Sequence, residues 1–398
     1  MRILISISHL RIGGAQQFIL RLAEGLADKQ HQVYLYDYEL LSHQSLNSLV
    51  SQIPQNINLI THPSLLDKIT AKIDRQLAKV NIKSNFWLWS KKLHFKFLIF
   101  FLKIDLVLTA LYHSDKFVTQ TLQQTKVPII LRSGGDYRFV IEEGNSTQDE
   151  VLQIMNRVNG IICVCESDSD VVSKYTSNSQ ALRKKIYNGI IPPKPISRED
   201  NPRQKLNISK DAFIFGMVAR GIPEKGWAEA IKSFELLQGL TEQDIHLILV
   251  GDSEYLLSLK QSLNSQLQSI VHFVGYSSEP EYWIDSFNVG LLPTYFSGES
   301  LPNSVVEYLA FGKPTIATNI AGLPEMINYE GQEAGFLVDL NQYGRANVAL
   351  MQNAMLKYLR DYCLFQKHSE LALKAFAKFN ISISINSYEE FFQEFSKM

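Results

Sequence analysis

The sequence predicts two open α/β domains, each a Rossmann-like parallel sheet with crossover helices, facing one another across a cleft. Three observations predict it. Short apolar runs alternate with amphipathic stretches along nearly the whole chain, the order that βαβ units impose. Runs such as Ile245-His246-Leu247-Ile248-Leu249-Val250 are apolar almost without break, as burial of both sheet faces requires. A proline-rich, charged break at 191–211 divides the alternation in two, and 398 residues exceed one ordinary domain.

Met1 to Ile7 reads as a buried first strand, too short for a signal-peptide core. Further strands are expected at 32–37, 105–110, 127–131 and 160–164, then beyond the break at 213–218, 245–250, 270–274, 288–292, 314–317 and 336–338. Helical patterns lie between most of them, at 15–28, 226–238, 254–268 and 346–360 among others. The domains are expected at 1–192 and 193–380. The last segment, 381–398, carries Tyr388, Phe391, Phe392 and Phe395 and reads as a helix that crosses back to the first domain. In open parallel sheets ligands bind beyond the carboxyl ends of strands, so the cleft is the expected site.

Bulk composition narrows the classes. The net charge of −1 gives no global field for nucleic acid. Cys163, Cys165 and Cys363 have no metal spacing and suit a reducing compartment, with one of the Cys163/Cys165 pair packing inward on a strand. An apolar run of about 18 residues, the length of a membrane span, is absent. The expected location is the cytoplasm.

Three loops carry chemistry. His9-Leu10-Arg11-Ile12-Gly13-Gly14-Ala15 follows the first strand, where paired glycines admit a close ligand and the next helix start favours an anion; it is not a dinucleotide G-x-G-x-x-G. Arg220-Gly221-Ile222-Pro223-Glu224-Lys225-Gly226 opens the second domain, and its two cations can converge on one diphosphate in place of a metal ion. Glu299-Ser300-Leu301-Pro302-Asn303 and Glu307 put two carboxylates on either side of a helix start, with Glu307 about two turns in if Asn303 or Ser304 caps it. A carboxylate beside such an anion site can bind sugar hydroxyls while the N–H groups hold phosphate.

In this order the three sets resemble the family 4 glycosyltransferases, which have the GT-B architecture. Arg220 and Lys225 match that family's R-x-x-x-x-K pair, and Glu299 and Glu307 its E-x7-E signature. Gly13-Gly14, Tyr187-Asn188-Gly189-Ile190, Val250-Gly251-Asp252 and Phe273-Val274-Gly275-Tyr276 are similar to its further turns. The resemblance implies a retaining glycosyltransferase that moves a sugar from a nucleotide-diphosphate sugar to a glycan or lipid-linked acceptor, as in surface polysaccharide synthesis. No cofactor and no metal ion are implied. Arg220, Lys225 and Glu299 would be catalytic; Gly13, Gly14, Gly251, Tyr276, Ser300, Leu301, Asn303 and Glu307 would bind the donor. Gly13 and Gly14 would approach its pyrophosphate from the first domain.

The chain departs from the pattern at Arg132-Ser133-Gly134-Gly135-Asp136, where many members carry a His. His113, Arg132 and Asp136 are the candidates for the acceptor side, with a structural role as the alternative for each. Ser167-Asp168-Ser169-Asp170 spells a D-x-D but reads as a capped helix start. Two rival functions stay open: a GT-B sugar-nucleotide epimerase and a non-catalytic nucleotide-sugar-binding protein.

One stretch falls outside this scheme. Residues 75–104 contain a run of lysines and aromatics and no Asp or Glu. Leu93, Phe97, Phe100 and Ile104 share a helical stripe with Lys92, Lys96 and Lys103 beside it. Two readings are open: an anionic membrane surface as partner, or a domain helix whose apolar face is covered by lysine stems.

Overall fold

The computed structural model describes residues 1–39, 48–176, 180–193 and 201–395. By its contacts the chain divides into two units, Met1–Gly189 with Ile381–Met398, and Ile190–Asn380.

In the first unit the strands are β1 (Arg2–Ile7), β2 (Gln32–Asp37), β3 (Asn58–Thr61), β4 (Leu106–Ala110), β5 (Ile129–Ser133), β6 (Gly160–Cys163) and β7 (Leu182–Lys185). They form one parallel sheet in the order β3-β2-β1-β4-β5-β6-β7. The helices are α1 (Gly14–Asp28), α2 (Ser64–Lys79), α3 (Phe86–Phe101), α4 (Tyr112–Thr121), α5 (Asp136–Glu142), α6 (Gln148–Arg157) and α7 (Glu166–Ser173). Two apolar layers enclose the sheet: Ile3, Ile5, Phe18 and Leu22 on one face, and Leu4, Phe95, Phe117 and Ile161 on the other. Both-face burial is why β1 and β4 read as continuous apolar runs.

The second unit is introduced by α8 (Pro202–Lys205), where Arg203 ties the incoming chain to the carbonyls of Ala212 (2.8 Å) and Ser286 (3.2 Å). It then contains β8 (Phe213–Val218), α9 (Trp227–Gln238), β9 (Ile245–Val250), α10 (Glu254–Gln261), α11 (Ser265–Gln268), β10 (Val271–Gly275), α12 (Pro280–Asp285), β11 (Val289–Leu292), α13 (Asn303–Ala310), β12 (Thr315–Thr318) and α14 (Leu323–Ile327). A hairpin of β13 (Asn328–Tyr329) and β14 (Gln332–Glu333) precedes β15 (Gly335–Val338), α15 (Val348–Arg360) and α16 (Tyr362–Phe376). The six-stranded sheet is parallel throughout, in the order β10-β9-β8-β11-β12-β15.

The last helix, α17 (Ile381–Phe395), packs in the first unit against α1, with Tyr388 and Phe18 rings 5.8 Å apart. Small residues make room for it: a Cβ on Gly160 would lie 2.7 Å from Phe395, and one on Gly189 would lie 2.5 Å from the Ile381 backbone. That second contact explains the Asn-Gly turn physically, because no side chain fits where the two strands of chain pass.

Several expectations need correction. The helix expected over 254–268 is two, broken where Asn264 caps α11 through the Leu267 N–H. Cys163 and Cys165 are both buried, and burial pushes the Cys163 thiol up to about 12, which leaves it inert at neutral pH. The start of α7 is at Glu166, with Cys165 in the cap position and no side-chain cap; Ser167 instead accepts from Arg138 (2.6 Å).

At the amino ends of β9 and β10, His246 Nδ1 and His272 Nε2 share a hydrogen bond of 2.9 Å, and His246 Nε2 donates to Asp244 (3.1 Å). Burial first, then the neighbouring His246, lower His272 from 6.5 to about 4. Between those values the unfolded chain binds a proton that the folded chain does not, so stability falls as pH drops through the window. Thermal melts of His272→Gln are expected to show a shallower loss between pH 6.5 and 4 than the parent chain.

Candidate active site

The order of the second sheet reverses between β8 and β11, which makes the carboxyl ends of those strands a topological switch point. The loop after β8 carries Arg220 and Lys225. The loop after β11 carries Glu299 and leads into α13. Topology alone therefore brings these residues to one place.

The two loops are joined through their backbones. The Glu224 carbonyl accepts from the Tyr295 N–H (2.8 Å) and the Thr294 hydroxyl (3.2 Å). Lys225 Nζ donates to Glu299 Oε2 at 2.5 Å, with both side chains less than a tenth exposed. Beside this buried pair, the Phe296 ring lies 5.2 Å from the Arg220 guanidinium and 5.3 Å from Lys225 Nζ. A charge pair shielded from water keeps its field strong, and Arg220, which is exposed, adds one more positive charge beside it.

Two anchors that the sequence did not reveal hold the loops. Trp227 is fully buried and donates from Nε1 to the Arg220 carbonyl (2.9 Å). The same ring and the Ala219 carbonyl leave no space for a Cβ at Gly251, at 2.8 and 2.6 Å. Tyr308 is also fully buried; its hydroxyl accepts from the Val218 N–H (2.7 Å) and lies 3.4 Å from the Leu291 carbonyl. It fixes α13 to the last turns of β8 and β11 at once. Gly290 and Gly216 are small because the Tyr308 and Phe287 rings press on the sheet there.

The start of α13 differs in register from the expectation. Pro302 occupies the cap position, no side chain caps the helix, and Asn303 is its first residue. Glu307 is therefore little more than one turn in, and half-buried. No acidic side chain lies in the first turn, so the N-terminal dipole is not offset locally. Ser300 and Leu301 are buried in the approach, and the Ser300 carbonyl accepts from the Gly322 N–H (3.1 Å). Tyr276, just past β10, is 64% exposed.

The first sheet has its own reversal, between β1 and β4. Gly13 caps α1 in an extended conformation and Gly14 is the first helical residue. The Gln16 side chain folds over Gly13 and donates to His9 Nδ1 (3.2 Å). Burial first, opposed by Glu39, lowers the His9 pKa, and His113 across the reversal lowers it further. His113 itself is exposed near the start of α4, its ring 5.7 Å from that of Tyr112. Beneath it, Leu111 adopts φ 73°, a conformation rare for a branched side chain. Buried Asp115 accepts from Thr109 (2.8 Å) and Tyr137 (2.8 Å), and Ser8 accepts from the Ser114 N–H (3.0 Å). This polar network, which sequence reasoning missed, supports the turn.

Arg132 is placed elsewhere. It is buried, donates to Asn188 Oδ1 (2.9 Å), and lies 5.3 Å from the Phe18 ring. Its positive charge also acts on Tyr388 of α17. These contacts occupy it with the packing of α1 and α17. Asp136 opens α5, and its side chain lies outside the described residues.

Two doubly wound parallel sheets in one chain, with cations and a carboxylate at the second sheet's switch point, define a GT-B protein. Residues 198–361 match the family described as glycosyl transferases group 1. The matched residues lie within the second unit. It is 29% identical over 156 residues to an uncharacterized glycosyltransferase of Methanocaldococcus jannaschii, covering 38% of this chain and 37% of that one. It is 25% identical over 214 residues to the UDP-Gal:alpha-D-GlcNAc-diphosphoundecaprenol alpha-1,3-galactosyltransferase of Escherichia coli, covering 51% and 54%. These matches span about a third to a half of the relatives' lengths. The crystal structure of Anabaena HepE in complex with UDP-glucose superimposes with a TM-score of 0.70 over 99% of this chain and all of that one, at 18% identity.

Proposed function

We propose that the chain transfers a glycosyl group from a nucleotide-diphosphate sugar to a glycan or lipid-linked acceptor, with retention at the anomeric carbon, in surface polysaccharide synthesis. The observation that carries the reading is the meeting of Lys225, Glu299 and Arg220 around Phe296 at the β8/β11 reversal. As the bond from the anomeric carbon to the diphosphate breaks, negative charge grows on the leaving oxygen. Arg220 offers a fork of donors and Lys225 a point charge from a site shielded from water, so the stabilisation is aimed at the transition state. Glu299 meets Lys225 through Oε2, and its other oxygen is the acceptor for a sugar hydroxyl. The open start of α13 contributes N–H groups to the phosphates, and Glu307 is assigned to the ribose hydroxyls. The galactosyltransferase of Escherichia coli, whose name specifies a UDP sugar and a lipid-diphosphate acceptor, supports the choice of substrate classes.

The test is a screen of nucleotide sugars with lipid-diphosphate and free-glycan acceptors, read as nucleoside diphosphate release and as glycosylated product. Sugar transfer that persists in excess chelator is the expected result, with the two cations in the place of a metal ion. Isomerised donor without transfer would make the chain an epimerase. Tight donor binding with no turnover would make it a binding protein.

A further inference from the structure

We propose that α2 and α3 of the first unit form a docking surface for an anionic lipid bilayer. The two helices are an addition to the sheet's cover that leaves much apolar surface in water. None of the 16 residues of α2 is buried, although Leu65, Ile69 and Ile73 recur at helical spacing and are 38–67% exposed. On α3 the inward face is Lys91, Phe95, Leu98 and Ile99. The outward stripe is Trp89, Leu93, Phe97 and Phe100, which are 47–85% exposed, with the Phe101 ring stacked on Phe97 at 5.3 Å. Ile104, expected on this stripe, is buried instead, and Lys91 is turned inward to the Tyr38 carbonyl (2.7 Å) and the Trp87 ring (4.1 Å). Of the large apolar side chains exposed among the described residues, half belong to this one helix pair and its connection. Scattered single exposures need no explanation, but a concentration of this kind does.

Charge says what covers it. Residues 64–103 hold nine of the 39 Lys and Arg but only two of the 40 Asp and Glu, so they carry +7 in a chain of net −1, and the remaining residues carry −8. Neither acid offsets the surface: Asp67 bonds His62 (2.9 Å), and Asp74 accepts from Ser84 (2.7 Å) and from the N–H groups of Phe86 and Trp87 that start α3. Lys68, Lys72 and Lys79 run beside the apolar stripe of α2 and are exposed; Lys96 does the same on α3. An aromatic-rich apolar stripe flanked by unpaired-off positive charge matches the interfacial layer of an anionic membrane, where rings enter the headgroup boundary and lysines meet phosphates. A second copy of this chain would bring +7 against +7 and is disfavoured. Among the described residues no helix is long and apolar enough to cross a membrane, so the surface would lie on the bilayer.

Flotation of the full chain with liposomes tests this without any appeal to enzymatic activity. Phosphatidylcholine vesicles containing phosphatidylglycerol are expected to carry the protein, and pure phosphatidylcholine vesicles to leave it behind. Trp89→Ser/Phe97→Ser/Phe100→Ser is expected to lower vesicle affinity at least tenfold. Each of Lys72→Gln, Lys79→Gln and Lys96→Gln is expected to lower it by about fivefold, and raised salt should act as the lysine variants do. Unchanged melting curves confirm that each variant is folded. Equal binding to neutral vesicles, no binding at low salt, or loss of a dimer in the aromatic variant with no effect on vesicles would each overturn the proposal.

Discussion

Lys225→Met is expected to lower donor turnover by about 10²–10³-fold, the range for removal of one preorganised transition-state donor. It is also expected to destabilise the second unit by about 3–5 kcal/mol, because Glu299 is left as an unpaired buried charge. The double variant Lys225→Met/Glu299→Gln separates the two effects. Methionine and glutamine of similar volume remove both charges from a site where each side chain is less than a tenth exposed. A buried ion pair replaced as a unit is close to neutral for stability, while breaking it from one side is not. Denaturant melts of the double variant should therefore return most of the way to the parent chain, and turnover should stay lost. A double variant that regains turnover would remove both side chains from the chemistry. A Lys225→Met chain as stable as the parent would mean that water reaches Glu299.

The contrast between legible and illegible parts of this molecule follows the range of the interactions involved. β1, β8 and β9 begin and end where the apolar runs do, because burial on both faces leaves little choice of residue. The edge strands β3 and β7 escaped notice: Asn58–Thr61 holds no fully buried residue, and Leu182–Lys185 is half exposed along its length. An edge needs backbone pairing on one side only, so its sequence is under weaker apolar constraint. The α2 helix escaped for the opposite reason, since its apolar positions serve no core.

At the candidate site, the spacing of Arg220 with Lys225 and of Glu299 with Glu307 was readable because each pair sits within one loop or one loop and its helix. The contact between Lys225 and Glu299 spans 74 positions, and the Tyr308 bond to Val218 spans 90. Local pattern carries no trace of either. The register of α13 departs from the sequence expectation because a proline at the cap position supplies no side-chain acceptor, so the usual polar cap signal points one residue too far along.

Gly226→Ala is expected to lower turnover by about 10²-fold without touching any side chain assigned to the donor. Gly226 has φ 84° and sits between Lys225 and the first residue of α9. A Cβ there would lie 2.0 Å from the Pro293 carbonyl oxygen, which is backbone and cannot rotate away. The left-handed conformation alone costs an L-residue about 1–2 kcal/mol. Relief of the clash must also separate the β8 and β11 loops, and with them the two bonds to the Glu224 carbonyl, at about 0.5–1.5 kcal/mol each. Lys225 would then be drawn away from Glu299, and a displacement of about 1 Å is enough to lower catalysis about 10²-fold. Gly331→Ala is the matched control. It has nearly the same φ, 81°, in the β13–β14 hairpin, but a Cβ there meets nothing within 4 Å. Thermal melts should show the backbone penalty in both variants and the further loss in Gly226→Ala alone, while turnover in Gly331→Ala stays at the parent level. Equal losses in the two would reduce Gly226 to a backbone convenience and remove the close approach of the loops as a condition for activity.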